Sequence, residues 1–257
     1  MSSRAAVTAL AVVILVAKSV NAECRGDFDG NGHVTVAEVL TSLHNALNEC
    51  SSQASSCTLS TTGQTATFTA DKHDGISAPV AVPDDGTVKA GAVPRFVDNG
   101  DGTITDLNAG LMWEKKDDAG GLHDLENIYV WSGNGAQETI WDWLDDVNAE
   151  THPVFGGMGF AGYNDWRIPN VNELGSLVNY GASSPAVNSV FHTGCARSCS
   201  VATCSCTNFV ESYWSSTTSA ADPMLAWVVN FRSGFSGESS KDFTVPGHVR
   251  AVRGPVK

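Results

Sequence analysis

Lysine and arginine are scarce: 15 against 28 aspartates and glutamates, a formal net charge of −13 over 257 residues. A surface so short of cations cannot neutralise a run of phosphates, which excludes nucleic acid as a partner and disfavours anionic membranes. The same deficit suits divalent cations. Charged residues are only 17% of the chain, so the acidity reflects few bases rather than many acids. Long apolar stripes of helical period are also few, whereas glycine is abundant at 25 residues. Together these features point to a loop-rich, largely β chain. No tryptophan precedes Trp113, and all seven lie from there onward, a compositional step that supports a boundary near residue 58.

Only one apolar run has the length of a targeting signal. Arg4 supplies its positive end, Ala5 to Ala17 its apolar body, and Val20-Asn21-Ala22 a small-residue cleavage site. The run falls short of the roughly 20 residues that span a bilayer. Residues 1–22 therefore read as a signal peptide cleaved after Ala22. The mature protein is expected to be secreted, periplasmic or at the cell surface, and not membrane-embedded. Export makes disulfides the default state of cysteine. There are seven: Cys24, Cys50, Cys57, Cys195, Cys199, Cys204 and Cys206. An odd number leaves one without a partner in its own chain. The last four, crowded within CARSCSVATCSC, have no usual zinc spacing and read as disulfides within one loop, with three pairings open.

Residues 23–50 form a first unit. Asp27 to Glu38, DFDGNGHVTVAE, match a calcium loop position by position. Calcium requires several oxygens packed round one ion and a sharp turn between them. Asp27, Asp29 and Asn31 stand where side-chain oxygens are needed, and Gly32 stands at the turn. His33 would give its backbone carbonyl, Thr35 binds directly or through water, and Glu38 closes the site with both carboxylate oxygens. An amphipathic helix follows, with Val36, Val39, Leu40, Leu43 and Leu47 on one face. The unit resembles half of a dockerin, and also the single EF-hand modules at the N-termini of exported bacterial proteins. Cys24 with Cys50 or Cys57 can tie its ends.

Residues 51–61, Ser/Thr-rich and uncharged, read as a linker. In the remainder, Arg95 to Asp106 read as a β-hairpin around Asn99-Gly100 and Asp101-Gly102. Asp98 and Asp101 also admit a second calcium reading, but the hairpin is the ordinary account of that signal. GLMWE, residues 110–114, continues as an apolar strand. A helix is expected from Thr139 to Glu150, capped by Thr139 and Asp142, with Ile140, Trp143, Leu144 and Val147 on its buried face. Asn170 and Glu173 have the spacing of a capping box, which opens a second helix behind Pro169. Val171, Leu174, Leu177 and Val178 share a face of that helix, and Gly181 is placed to end it. The runs 213–217, 225–231, 241–245 and 248–253 are strand-like, with Trp214 and Trp227 as core anchors.

TGQT (62–65), DNGDGTITD (98–106), GLMWEK (110–115), the tryptophan-bearing helix, GYNDWRIPNVNEL (162–174), YWSST and VRAVRG (249–254) occur in that order. In this succession the chain resembles the Lcl-like C-terminal domain family, named for a collagen-like bacterial adhesin. The resemblance implies an α+β, C-type-lectin-like domain over residues 62–254, a twisted antiparallel sheet with two helices, beside the small EF-hand-like helical unit. Together with the signal segment and the calcium loop, it leads us to expect an exported calcium-binding protein whose lectin-like domain serves adhesion, recognising a glycan or a surface protein, with no catalytic residue. Sulfated sugars would need a basic patch, for which Arg232, Lys241, Arg250 and Arg253 are the candidates. RIPNVNEL and HVRAVR also resemble parts of formylglycine-generating enzymes, which share the fold. The alternatives are therefore a secreted enzyme on that scaffold, drawing on Asp165, Glu173 and Glu211, or an assembly subunit that docks through the calcium unit. The ligand face is expected in the Gly-rich and Cys-rich loops.

Overall fold

A computed structural model describes residues 59–66, 84–150 and 159–254. The signal segment, the calcium loop from Asp27 to Glu38, and Cys24, Cys50 and Cys57 lie outside the described residues.

The hairpin forms as its turn residues dictate. β1 (Phe96–Asp98) and β2 (Thr103–Asp106) pair antiparallel, with Asp98 opposite Ile104. Asp98 Oδ1 accepts from the Gly100 amide at 2.9 Å, and Asp101 Oδ1 accepts from the Thr103 amide and hydroxyl at 3.0 and 2.6 Å. Both carboxylates thus build the turn, and Gly100 and Gly102 take the positive φ it needs, 76° and 98°. β3 (Leu111–Glu114) pairs with β2 on one side and with β9 (Val252–Arg253) on the other. β4 (Tyr129–Val130) pairs with β8 (Pro246–Gly247), while β5 (Ser212–Thr218), β6 (Leu225–Asn230) and β7 (Phe235–Ser240) form a third sheet. All these strand pairings are antiparallel.

Three α-helical segments occur among the described residues rather than two. The additional one, α1 (Asp85–Val88), is a single turn capped by Asp84. α2 (Ile140–Ala149) has the expected box, Thr139 and Asp142 each bonding the other's backbone amide. α3 (Val171–Gly175) has the Asn170–Glu173 box but ends six residues short of Gly181. Beyond Gly175 residues 176–178 close a local turn, and from Asn179 the backbone finds tertiary partners: Asn179 donates to the Ala186 carbonyl at 3.1 Å and Tyr180 to Thr62 at 2.7 Å. Gly181 is required for close approach, since a Cβ there would sit 2.0 Å from the Gly63 carbonyl oxygen.

Two strand expectations are also corrected. Residues 241–245 are not a strand; FSGESS, residues 235–240, pairs with β6 in their place. That run is largely polar and edge-exposed, so backbone pairing sets it and no apolar alternation announces it. Of 248–253 only Val252–Arg253 forms a named strand: His248 makes a single parallel bridge to Tyr213, and the Ala251 amide bonds a side chain, Glu114 Oε2, at 2.8 Å.

β3 and β6 divide the interior. Met112 and Val228 face one cluster, built on Trp143, Trp166 and Trp214; Trp113 and Val229 face the other, with Leu174, Phe191 and Tyr213. Period-two alternation in strands buried on both sides yields two cores from one sequence run. Trp113, Trp143 and Trp214 are at most 1% exposed, so each contributes of the order of 3 kcal/mol. Trp227 is only half-buried.

Candidate binding surface

The site is assembled from the end of β3 outward. Glu114 closes an apolar strand yet is fully buried, which is tolerable only if every oxygen is compensated. Its Oε2 accepts from Ala251. Its Oε1 lies 2.7 Å from His123 Nδ1 and 2.8 Å from Lys116 Nζ, the latter a close ion pair without an aligned hydrogen bond. His123 Nε2 reaches Glu150 Oε2 at 3.1 Å, at the end of α2. Lys116 Nζ also stands 4.4 Å above the Trp143 ring.

Burial alone would raise the Glu114 pKa; the Lys116 charge and the His123 hydrogen bond overcome it and hold the carboxyl at about 2. Burial pushes His123 down, but its two carboxylate partners, Glu114 and Glu150, carry it above the ordinary histidine value. Only the imidazolium donates from both ring nitrogens, as the geometry requires. For Lys116 loss of hydration outweighs the attraction of Glu114, so its pKa is lowered. Two acids and two bases thus form a closed, internally neutralised set.

Arg250, 1% exposed, ties this set to the Cys-rich loop. Its guanidinium donates to the Glu114 carbonyl at 2.7 Å, the Cys206 carbonyl at 2.7 Å and Thr207 Oγ1 at 3.0 Å. The Cys206 amide in turn donates to the Lys116 carbonyl at 2.7 Å. The disulfides pair Cys195 with Cys206 and Cys199 with Cys204, nesting one inside the other. With these four paired, the odd cysteine falls among Cys24, Cys50 and Cys57. Disulfides at these positions suit an extracytoplasmic protein. No helix among the described residues is long and apolar enough to cross a membrane.

The Gly-rich and Cys-rich loops meet. Ser198 donates to the Asp118 carbonyl at 2.8 Å, Asp118 to the Cys199 carbonyl at 3.2 Å, and the Val201 amide to Asp117 Oδ2 at 3.1 Å. The outcome is one composite face, with Ala119, Gly120, Gly121, Arg197, Ser198 and Ser200 exposed on a base fixed by ion pairs and two cross-links.

The residues singled out in the sequence distribute differently. The metal set Asp27, Asp29, Asn31, His33, Thr35 and Glu38 lies outside the described residues. Asp165 is bound to Arg253 at 2.7 Å, and Glu173 to Arg167 at 2.6 and 2.7 Å while capping α3, so each acid is committed to its own arginine; Glu211 is exposed. The basic patch does not form: Arg250, Arg253 and Lys241 are buried, Lys241 lying 3.9 Å from the Trp131 ring, and Arg232 alone is exposed. Sequence reasoning missed the Glu114–Lys116–His123–Glu150 set. The available signal was the charged run Glu114-Lys115-Lys116-Asp117 directly continuing a buried strand.

A family profile described as the Lcl C-terminal domain matches residues 102–253. No curated protein matches the chain.

Proposed function

Because the chain belongs to the Lcl C-terminal domain family, we propose that it is an exported recognition protein. Its composite loop face would engage a glycan or a surface protein on a C-type-lectin-like scaffold. The observation that carries this reading is the hydrogen-bonded junction of the 117–124 loop with the 195–206 loop, the latter cross-linked within itself by two disulfides and seated on the buried Glu114–Arg250 set. A face held rigid before contact loses little entropy on binding, which favours recognition. The internal neutralisation of Glu114, Lys116 and His123 supports a structural use of those groups rather than acid–base chemistry. The burial of Arg250, Arg253 and Lys241 turns the proposal away from sulfated ligands. Residues 1–22 would direct export.

The second part of the proposal is one calcium ion held by Asp27, Asp29, Asn31, the His33 carbonyl, Thr35 and Glu38; the spacing of oxygen donors around Gly32 supports it. Calcium there would order the N-terminal unit and take no part in chemistry.

Two measurements test these readings. The mature protein is applied to a panel of immobilised glycans and surface proteins, with Arg197→Ala/Ser198→Ala beside it. Retention by some members, weakened in the variant, is expected; equal retention of the two proteins removes the loop face from the proposal. Calorimetric titration with calcium should show one site that Glu38→Gln weakens, and an absence of binding heat ends the calcium reading.

A further inference from the structure

The two disulfides are not independent. Cys206 Sγ, bonded to Cys195, lies 3.9 Å from Cys199 Sγ and 4.0 Å from Cys204 Sγ, so it flanks the neighbouring bond almost symmetrically. Three sulfurs from two bridges lie within 4.8 Å of one another. The outer members, Cys195 and Cys199, are half-buried, whereas Cys204 and Cys206 are at most 1% exposed. An outside thiol therefore reaches the pair from the Cys195–Cys199 side, and the sulfur it liberates is enclosed next to a second disulfide.

We propose that this pair is a thiol–disulfide exchange site, in which an external thiol reductant acting at Cys195 is answered by a rearranged bond between Cys199 and Cys206. In the first step a thiolate attacks Cys195 Sγ. The Cys195–Cys206 bond breaks, a mixed disulfide forms on Cys195, and Cys206 leaves as a thiolate. No longer tied to Cys195, the Cys206 side chain rotates from beside the Cys199–Cys204 bond into line with it and attacks Cys199 Sγ. That bond breaks, Cys199–Cys206 forms, and Cys204 departs as a thiolate and takes up a proton. Cys204 Sγ already lies 3.3 Å from the Ser200 carbonyl, which accepts the new S–H. A second thiol, or the other arm of a dithiol, resolves the mixed disulfide on Cys195. In sum two external thiols are oxidised to a disulfide, one protein disulfide is reduced to the thiols of Cys195 and Cys204, and the surviving bond has changed partners.

Attack on Cys199 is favoured over attack on Cys204. A Cys204–Cys206 bond would enclose a single residue, and very short loops close poorly because the backbone is stiff on that scale. One cation borders Cys206: the Arg250 guanidinium bonds its carbonyl. Positive charge beside a sulfur favours its thiolate, the form that attacks. Exchange also reshapes the loop face, since Ser198, Cys199 and Val201 hold the 117–124 loop. The chemistry itself does not rest on the recognition reading.

The test uses the full mature protein in its folded state, monitored by tryptophan fluorescence. Substoichiometric dithiothreitol is added at mildly alkaline pH, the reaction is stopped with acid, and free thiols are alkylated before peptide mapping. Among peptides from residues 195–206, the expected species with one bridge left carries alkyl groups on Cys195 and Cys204 with Cys199 joined to Cys206, and it exceeds both species that retain a native bridge. If only Cys195 and Cys206, or only Cys199 and Cys204, are alkylated together, the proposal fails. Cys204→Ser gives a reductant-free check: its freed Cys199 should exchange with the remaining bridge, so that label is shared between Cys195 and Cys199. Label on Cys199 alone in folded variant overturns the proposal, and should that variant not fold, the wild-type mapping decides.

Discussion

Replacing Glu114 by glutamine removes one negative charge from an otherwise closed set and almost nothing else. The amide keeps the length of the side chain and an oxygen for the Ala251 amide, 2.8 Å away in the wild type. It leaves Lys116, 2% exposed, without its counter-ion and His123 without the stronger of its two partners. Breaking a buried ion pair from one side costs about 3–5 kcal/mol. Proton linkage gives an independent figure: a carboxyl moved from 4.5 to about 2 contributes roughly 3 kcal/mol at neutral pH. The two agree, and at about 2–4 °C per kcal/mol for a domain of this size the midpoint should fall by some 6–20 °C. The pH profile adds a sign. Because the folded-state pKa of Glu114 is depressed, its contribution is present above the unfolded value near 4.5 and disappears as pH falls toward 2. His123 runs the other way: its pKa is raised, so its contribution is full below 6.5 and is lost as pH climbs through the folded value. Denaturant unfolding of both proteins from pH 2 to 9 measures both limbs. A Glu114→Gln loss under about 1 kcal/mol at pH 6, or an acid limb as steep in the variant as in the wild type, would refute the reasoning.

Arg250→Ala should destabilise more than Arg253→Ala, although each arginine makes several hydrogen bonds. The first strands three buried acceptors, at roughly 1–3 kcal/mol apiece, whereas the second releases Asp165, whose side chain is 58% exposed and rehydrates; chemical denaturation that ranks them in reverse order would contradict the burial argument. Gly181→Ala places a Cβ 2.0 Å from the Gly63 carbonyl and should cost about 1–3 kcal/mol, read as a lowered midpoint; an unchanged midpoint means the 59–66 segment yields freely. Thr139→Ala removes one half of the α2 capping box, and thermal melts should record a loss of about 1 kcal/mol. Chelation of calcium should lower the melting temperature of the N-terminal unit, and a protein purified with calcium that melts unchanged in excess chelator would count against the metal.

Local chemistry made much of the fold readable. Asn99-Gly100 and Asp101-Gly102 announce a hairpin because few other residues accept positive φ, and both capping boxes stand where spacing puts them. The departures occur where distant partners decide. α3 gives way after Gly175 to a local turn, and from Asn179 onward Ala186 and Thr62 claim the backbone amides; residues 235–240 form an edge strand because β6 offers its free side. The Glu114 set was hidden for a similar reason. Glu114, His123 and Glu150 come from a strand end, a loop and a helix end that no spacing rule links, and a solvated charge run is the usual meaning of Glu-Lys-Lys-Asp. The disulfide pairing was undecidable from spacing alone: a Cys204–Cys206 bond would close a single-residue loop, but the other two arrangements both close loops of ordinary length.

The pairing of β3 with β9 has a consequence in time as well as in space. Glu114 and Ala251 are 137 positions apart, yet neither Glu114 Oε2 nor the edge of β3 is satisfied until that late segment arrives. While the chain is being synthesised, the first hairpin can form by itself, but Glu114 Oε2, at the end of β3, waits for the Ala251 amide. Such non-local closure slows folding and keeps the middle of the domain open until its last strand docks. The disulfides suit an extracytoplasmic protein, and in such a chain a core that closes only when Val252 and Arg253 dock stays incomplete until its final strand is available.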